Sequence, residues 1–205
     1  PDDATGEKGV ILVMYHEGIE ALAAVFDLDT LSRRWQFVLE TSNWGAQDGR
    51  FLPWIGADIE VLVMAPRADD FAFFERLRTN LVPLRVGSGE WVDPAVFVPK
   101  PPGEPFFFDV VMVASWDPLK RHRMLFDAVA ANRARGRRLM VALIGVPGVW
   151  TQAKIHELAA ERGISDQVTI HEKIPHAEVA RIVARSRVSV LLSRQEGSNR
   201  SVYES

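Results

Sequence analysis

Two glutamates separated by seven residues, Glu196 and Glu204, stand just after the apolar run Val188–Leu192. A strand, a polar Gly197-Ser198-Asn199 turn and a new helix start are the parts from which an open α/β sheet builds a ligand site. The crevice there lies outside the carboxyl ends of the strands, and helix N-termini direct free N–H groups into it. The spacing predicts Glu196 at the strand end and Glu204 about two helical turns on, roughly on the same face. One carboxylate then stands near a reacting group, while the other accepts hydrogen bonds from hydroxyls of a polar ligand. The plain alternative is a helix cap by Ser198 or Asn199, with Glu204 solvated.

Other chemistry-bearing residues are scattered. His16 follows a buried-type strand, and His176 stands at a predicted helix start beside Pro175. Gly145 and Gly148 form a turn after a strand, but no Gly-x-Gly-x-x-Gly completes a dinucleotide fingerprint. No His, Asp and Glu cluster has metal-ligand spacing, so no metal is expected. Gly-x-Ser-x-Gly is absent, which removes the usual serine-hydrolase signature.

These residues must be positioned by elements that the chain spells out. Its 205 residues are 47% hydrophobic and lack cysteine, enough for one large or two small cores without disulfides. The net charge is −3, which argues against broad nucleic-acid binding. Residues 1–100 carry about −7 and residues 101–205 about +4, so the second half suits an anionic ligand. No apolar run approaches the ~20 residues that span a bilayer, and a cytoplasmic setting is expected.

Strand-like runs at 9–15, 35–39, 60–64 and 81–86 alternate with helical stretches at 19–32 and 69–79. The proline-dense 98–105 segment reads as a linker, placed at 101–106 between domains 1–100 and 107–205. Alternation then restarts: strands at 107–114, 139–144, 168–170 and 188–192, helices at 119–135, 151–162 and 175–186. Repeated βα alternation predicts α/β domains with parallel sheets. Two of them on a short linker imply a cleft, a common place for small-molecule sites. The first half opens on a buried-type strand and the second stops at a helix start. Both domains are therefore expected to be incomplete, the chain being a fragment of a larger protein.

The order of segments in the second half resembles the nucleotide-sugar-binding domain of group 1, family 4 retaining glycosyltransferases of GT-B fold. Val113–Lys120, Ala142–Gly148, Ala160–Ile164, Val168–His176, the strand 188–192 and Ser193…Glu196-Gly197…Glu204 carry the resemblance. Phe37–Gly45 and Val86–Pro99 are similar, more loosely, to the partner domain of the same enzymes.

The resemblance implies two Rossmann-like domains and a hexosyltransferase working with retention, in polysaccharide or glycoconjugate synthesis. Glu196 matches the first family glutamate, near the sugar and the reacting centre; Glu204 matches the second, on the ribose hydroxyls. Lys120 matches the lysine on the donor diphosphate, and a cation at a helix start would reinforce the helix's own N–H groups. Gly197, Ser198 and Asn199 would present N–H groups to diphosphate or sugar. The family arginine a few residues before the lysine is missing, with Ser115 or Trp116 in its region and Arg121 and Arg123 the nearby cations. Gly145 stands in the loop after a central strand, where close backbone approach is useful or a plain turn suffices. His176 lies near the loop that in the family borders the base, a surface histidine being the other reading. His16 is one place for a partner-domain histidine; the better positional match, the Glu40-Thr41-Ser42 loop, has none.

The implied partners are a nucleotide-sugar donor, as substrate and not cofactor, and a carbohydrate or lipid-linked acceptor, with no nucleic acid. Peripheral contact with the inner face of a membrane is a family-level expectation for the parent. A nucleotide-sugar epimerase and a non-catalytic sugar-nucleotide-binding module remain open as alternatives. Truncation predicts that the fragment itself is inactive or self-associating.

Overall fold

The computed structural model describes residues 1–2, 4–41, 47–56, 58–194, 196 and 199–205. By compactness the chain divides into two units, Pro1–Glu90 and Trp91–Ser205.

The first unit is a four-stranded parallel sheet in the order β1 (Gly9–Met14), β2 (Trp35–Glu40), β3 (Val61–Met64), β4 (Leu81–Leu84). Between β1 and β2 the single helix expected from 19 to 32 is two, α1 (Tyr15–Val25) and α2 (Leu28–Ser32). The break has a local cause. Asp27 leaves helical geometry and its carboxylate accepts from the N–H groups of Asp29 and Thr30, so it caps a new helix. Helix α3 (Ala68–Leu77) joins β3 to β4. The core gathers Phe37 and Leu39 from β2, Val61 and Val63 from β3, and Phe74 from α3 around Trp54. Trp54 is fully buried, and its indole N–H donates to the Ile19 carbonyl at 3.1 Å, so burial leaves no orphaned donor.

The second unit holds β5 (Phe108–Val113), α4 (His122–Ala134), β6 (Val141–Gly145), α5 (Gln152–Ala160), β7 (Val168–Glu172), α6 (His176–Ala184), β8 (Ser186–Ser189) and the short α7 (Arg200–Tyr203). Its sheet is parallel in the order β7-β6-β5-β8. The chain winds outward from β5 through β6 to β7, then returns to pair β8 on the other side of β5. Two cores follow from alternation along the strands. Met112 and Leu143 pack with Phe126 of α4 and Ile155 and Leu158 of α5. Val111, Ala142 and Ile144 pack with Val179, Ile182 and Val183 of α6.

Three boundaries in this unit differ from the sequence reading. Helix α4 begins at His122, not Leu119, because Arg121 sits at φ 59° and ends a separate 3-10 turn, Pro118–Lys120. Strand β8 spans Ser186–Ser189 where 188–192 was expected. Its register is set by β5, with Ser186 opposite Phe108 and Val188 opposite Val110. As an edge strand it leaves Val188 half exposed, while Val190 and Leu192 turn onto the core beyond it. The proline-dense stretch expected as a linker at 101–106 belongs to the second unit by compactness. Arg185 Nη2 donates to Glu104 at 2.8 Å, Phe107 N donates to the Arg185 carbonyl at 2.9 Å, and Phe97 packs on the α6 side of the sheet.

Candidate functional site

In a parallel sheet whose strand order reverses, neighbouring loops diverge at the reversal and leave a crevice. Here the reversal lies between β5 and β8, so the loop after β5 and the loop after β8 share it. Lys120 lies in the first and Glu196 in the second. Their side chains meet: Lys120 Nζ donates to Glu196 Oε1 at 2.5 Å. Both are largely shielded, with side chains 20% and 16% exposed. Burial pushes the Glu196 carboxyl up, but hydrogen bonds led by Lys120, with its positive charge, more than offset this and hold it below the usual carboxylate range.

The 3-10 turn explains how Lys120 reaches across. Had α4 begun at Leu119, Lys120 would lie in the helix's first turn. Instead Arg121 interrupts, and Lys120 N closes the turn on the Asp117 carbonyl at 3.0 Å. The Asp117 carboxylate pins this loop to the one after β6, accepting from Val149 N at 3.0 Å. Backbone bonds from Trp116 N to Val146 O and from Trp150 N to Trp116 O complete the junction. Gly145 belongs to this packing. A Cβ there would stand 2.2 Å from the Ala114 carbonyl oxygen and 2.6 Å from Trp116 Nε1, so Gly145 allows two loops to touch.

Glu204 is buried and gathers a separate set of partners. Its Oε1 meets His176 Nε2 at 2.9 Å and Arg200 Nε at 2.8 Å. His176 stands at the start of α6 and lies edge-on to Phe97, ring centres 4.7 Å apart. The expectation of a solvated Glu204 under the capping alternative is therefore not met. The cap itself is Asn199, whose side-chain oxygen accepts from Ser201 N at 2.9 Å. Gly197 and Ser198 lie outside the described residues. Beside Glu204 is a cavity of about 480 Å³ whose lining includes Phe97, Lys100, Phe106 and Tyr203.

Sequence reasoning passed over Asp117, Arg200 and His122. Arg200 and Glu204 stand four apart, the spacing of a helical ion pair, which was a usable signal. His122 is fully buried against Trp150, with the Asp117 backbone beside its ring. Burial pushes its pKa down to about 4, aided by Lys120 and opposed by the neighbouring Asp117. No local pattern marks it, because its burial comes from the α4–Trp150 packing.

In the first unit His16 is fully buried on α1, with Nε2 3.8 Å from Asp48 Oδ2 and its ring edge-on to Phe51. Near it, burial raises the Glu40 carboxyl above its ordinary range, against the Tyr15 N–H and His16. Thr41 is buried and bonds the Met64 carbonyl; Ser42 through Ala46, including the resemblance segment Asn43-Trp44-Gly45, lie outside the described residues. Among the described residues no group of three or more His, Asp and Glu is arranged to hold a metal ion. No helix of the described residues is long and apolar enough to cross a membrane.

Comparison with solved structures finds the same architecture at low identity. The pneumococcal O-GlcNAc transferase GtfA, solved with UDP and GlcNAc, aligns over 86% of this chain and 37% of its own, at 12% identity and TM-score 0.65. A mutant of S. aureus TarM in complex with Fondaparinux, alpha-GlcNAc-glycerol and UDP aligns over 83% of this chain and 35% of its own, at 12% identity and TM-score 0.58. The catalytic domain of Starch Synthase IV from Arabidopsis thaliana, bound to ADP and acarbose, aligns over 98% and 55%, at 11% identity and TM-score 0.56. The chain thus spans roughly a third to a half of these proteins' lengths, and shares with them Rossmann-like units of GT-B type. No curated protein matches the sequence. The model of the family "Glycosyl transferases group 1" matches residues 99–205, which include Lys120, Glu196 and Glu204. That match spans more than half of the residues, and the chain belongs to the group 1 glycosyl transferases.

Proposed function

We propose that this chain carries the donor-binding part of an enzyme that transfers a sugar, with retention, from a nucleotide-diphosphate sugar to a carbohydrate or lipid-linked acceptor. Polysaccharide or glycoconjugate synthesis is the setting that the family suggests. The observation that carries the reading is the meeting of Lys120 and Glu196 at the point where the β5 and β8 loops converge. Without donor, each neutralises the other. An arriving diphosphate draws Lys120 to itself, and Glu196, already ionised, is left beside the sugar. There a carboxylate orients hydroxyls and stabilises positive charge that develops at the reacting carbon.

Glu204 would accept the ribose hydroxyls. His176 and Arg200 both engage its Oε1, which fixes the carboxylate in place for that task. No metal is required in this scheme, since Lys120 and backbone N–H groups supply the positive potential. His16, buried in the other unit, is assigned no step.

A non-catalytic sugar-nucleotide-binding module is the second reading, and one observation favours it. Trp116, in the region of the missing family arginine, is fully buried, so that position supplies no cation to a donor. An epimerase would need no acceptor, and product analysis separates it. The test is calorimetric titration of the chain with UDP, GDP and ADP, with Glu204→Ala and Lys120→Ala as controls. Micromolar binding of one nucleotide, weakened at least about tenfold in each variant, is expected. A folded chain that binds none of the three, or binds equally well after both substitutions, overturns the donor assignment.

A further inference from the structure

Beside the Lys120 loop, the first turn of α4 faces a second open cavity, about 620 Å³ in volume, lined by Pro118, Arg121, Arg123, Met124, Asp127 and Trp150. Its acidic groups already have basic partners. Asp127 is committed to Arg162 at 2.6 Å, and nearby Glu157 is committed to Lys154 at 2.6 Å. Arg123 lies over the Trp150 ring, 5.6 Å from its centre, a cation–π contact. Among the described residues Arg121 has no side-chain hydrogen-bond or ion-pair partner. Arg123 shares the field of Glu157, whose carboxyl it helps hold below the usual range behind Lys154, so the net positive charge of the cavity rests mainly on Arg121, over a floor of Met124, Pro118 and Trp150.

The backbone adds two features. Arg121 holds φ 59° and ψ 38°, a left-handed conformation that a residue with a Cβ adopts only at a cost and that glycine adopts freely. Helix α4 starts with no side-chain cap and no acidic residue in its first turn, so its positive pole is uncompensated. A long cationic residue in the place that suits glycine is a local conflict, and such conflicts concentrate at functional positions.

We infer that this cavity is a second ligand site, for a phosphate ester that carries an apolar body. The phosphate would take paired N–H groups from Arg121 and Arg123, since the planar guanidinium matches oxyanions in a two-pronged contact. The apolar body would lie on Trp150 and Met124, the latter 54% exposed. The exposed Leu119 and Val149, at 69% and 74%, extend the apolar surface on the two adjoining loops. The inference stands on this cavity alone and does not require Lys120 and Glu196 to bind a donor. Either a lipid headgroup or a soluble organic phosphate has this chemistry.

The test is titration of the chain with octyl phosphate below its micellar range, with inorganic phosphate and octyl glucoside as partial ligands. Octyl phosphate is expected to bind roughly tenfold more tightly than either, because it alone engages both cations and floor. Arg121→Gly is the diagnostic variant. It relieves the left-handed backbone, so the melting temperature rises, yet octyl phosphate affinity falls about tenfold with the guanidinium. Arg137→Gln, at an exposed arginine beyond the end of α4, should change nothing, and saturating UDP should leave octyl phosphate bound. Vesicles of phosphatidylcholine with about one-fifth phosphatidic acid identify the source: binding that depends on Arg121 points to a headgroup, whereas binding of the monomer alone points to a soluble ester. Octyl phosphate that binds no better than phosphate, survives Arg121→Gly or is displaced by UDP overturns the inference.

Discussion

The pairing of Lys120 with Glu196 makes each residue's charge depend on the other. Removing Lys120 alone leaves a shielded carboxylate without its cation; Lys120→Met should destabilise the second unit by about 1–3 kcal/mol in urea unfolding. Lys120→Met with Glu196→Gln should recover most of that loss, since no uncompensated charge remains, and a double-mutant cycle measures the coupling. Two groups make the unit sensitive to acid, and their signs agree. Glu196 is held below its ordinary value of 4.5, so its stabilisation is present above that pH and is lost as pH falls through its folded value. His122 titrates near 4 when folded against an ordinary 6.5. Its unfolded form binds protons first, so stability falls as pH drops from 6.5 toward 4, by about 3 kcal/mol. His122→Phe should flatten the pH dependence of the melting temperature over that window and leave the Glu196 contribution below it. An unchanged pH profile would place the acid sensitivity elsewhere.

At the scale of elements, the site depends on loops that touch. Gly145 ends β6 where a Cβ would meet the Ala114 carbonyl oxygen at 2.2 Å, and backbone cannot yield as a flexible side chain can. Gly145→Ala should therefore cost about 1–3 kcal/mol and push the Lys120 loop away from β6. Nucleotide affinity should fall with it, although Gly145 itself offers no charged group. Equal affinity in the alanine variant would show that the two loops move independently. The cap at Thr151, which accepts from Lys154 N at 3.4 Å, anchors α5 on the far side of the same junction. Its loss in Thr151→Ala should cost about 1 kcal/mol without affecting binding.

For the molecule as a whole, each unit has its own sheet and core, so each should unfold as a cooperative piece. Residues 91–205 should fold alone with a sharp thermal transition by circular dichroism. A piece starting at residue 107 should be much less stable, because it loses Phe97 against His176 and Glu104 against Arg185. Equal melting temperatures would return residues 91–106 to the role of a linker.

The contrast between those two boundaries reflects what sequence can carry. Parallel α/β architecture was legible because periodicity is local: residues 60–64 and 139–144 read as buried strands from their own residues, and strands form there at Val61–Met64 and Val141–Gly145. The family itself was legible because the order of the segments resembled one now matched over residues 99–205, a span that includes Lys120, Glu196 and Glu204. Proline density at 98–105 correctly signalled the absence of helix and strand, yet it says nothing about packing, and here Phe97 and Glu104 found partners on α6 and at its end. The helix break at Asp27 was available in principle, as an acidic cap two residues before Asp29.

The sequence by itself determined the alternation of strands and helices, the places where loops must fall, and the residue types those loops present. Only the tertiary structure decided which loops meet. Strand order is a non-local choice, and the return of β8 to the open side of β5 brings residue 196 to residue 120. The same holds for His122, Glu204 and Arg123, whose surroundings are set by neighbours distant along the chain. Charge balance and desolvation are properties of a surrounding volume, and no local window of sequence contains that volume.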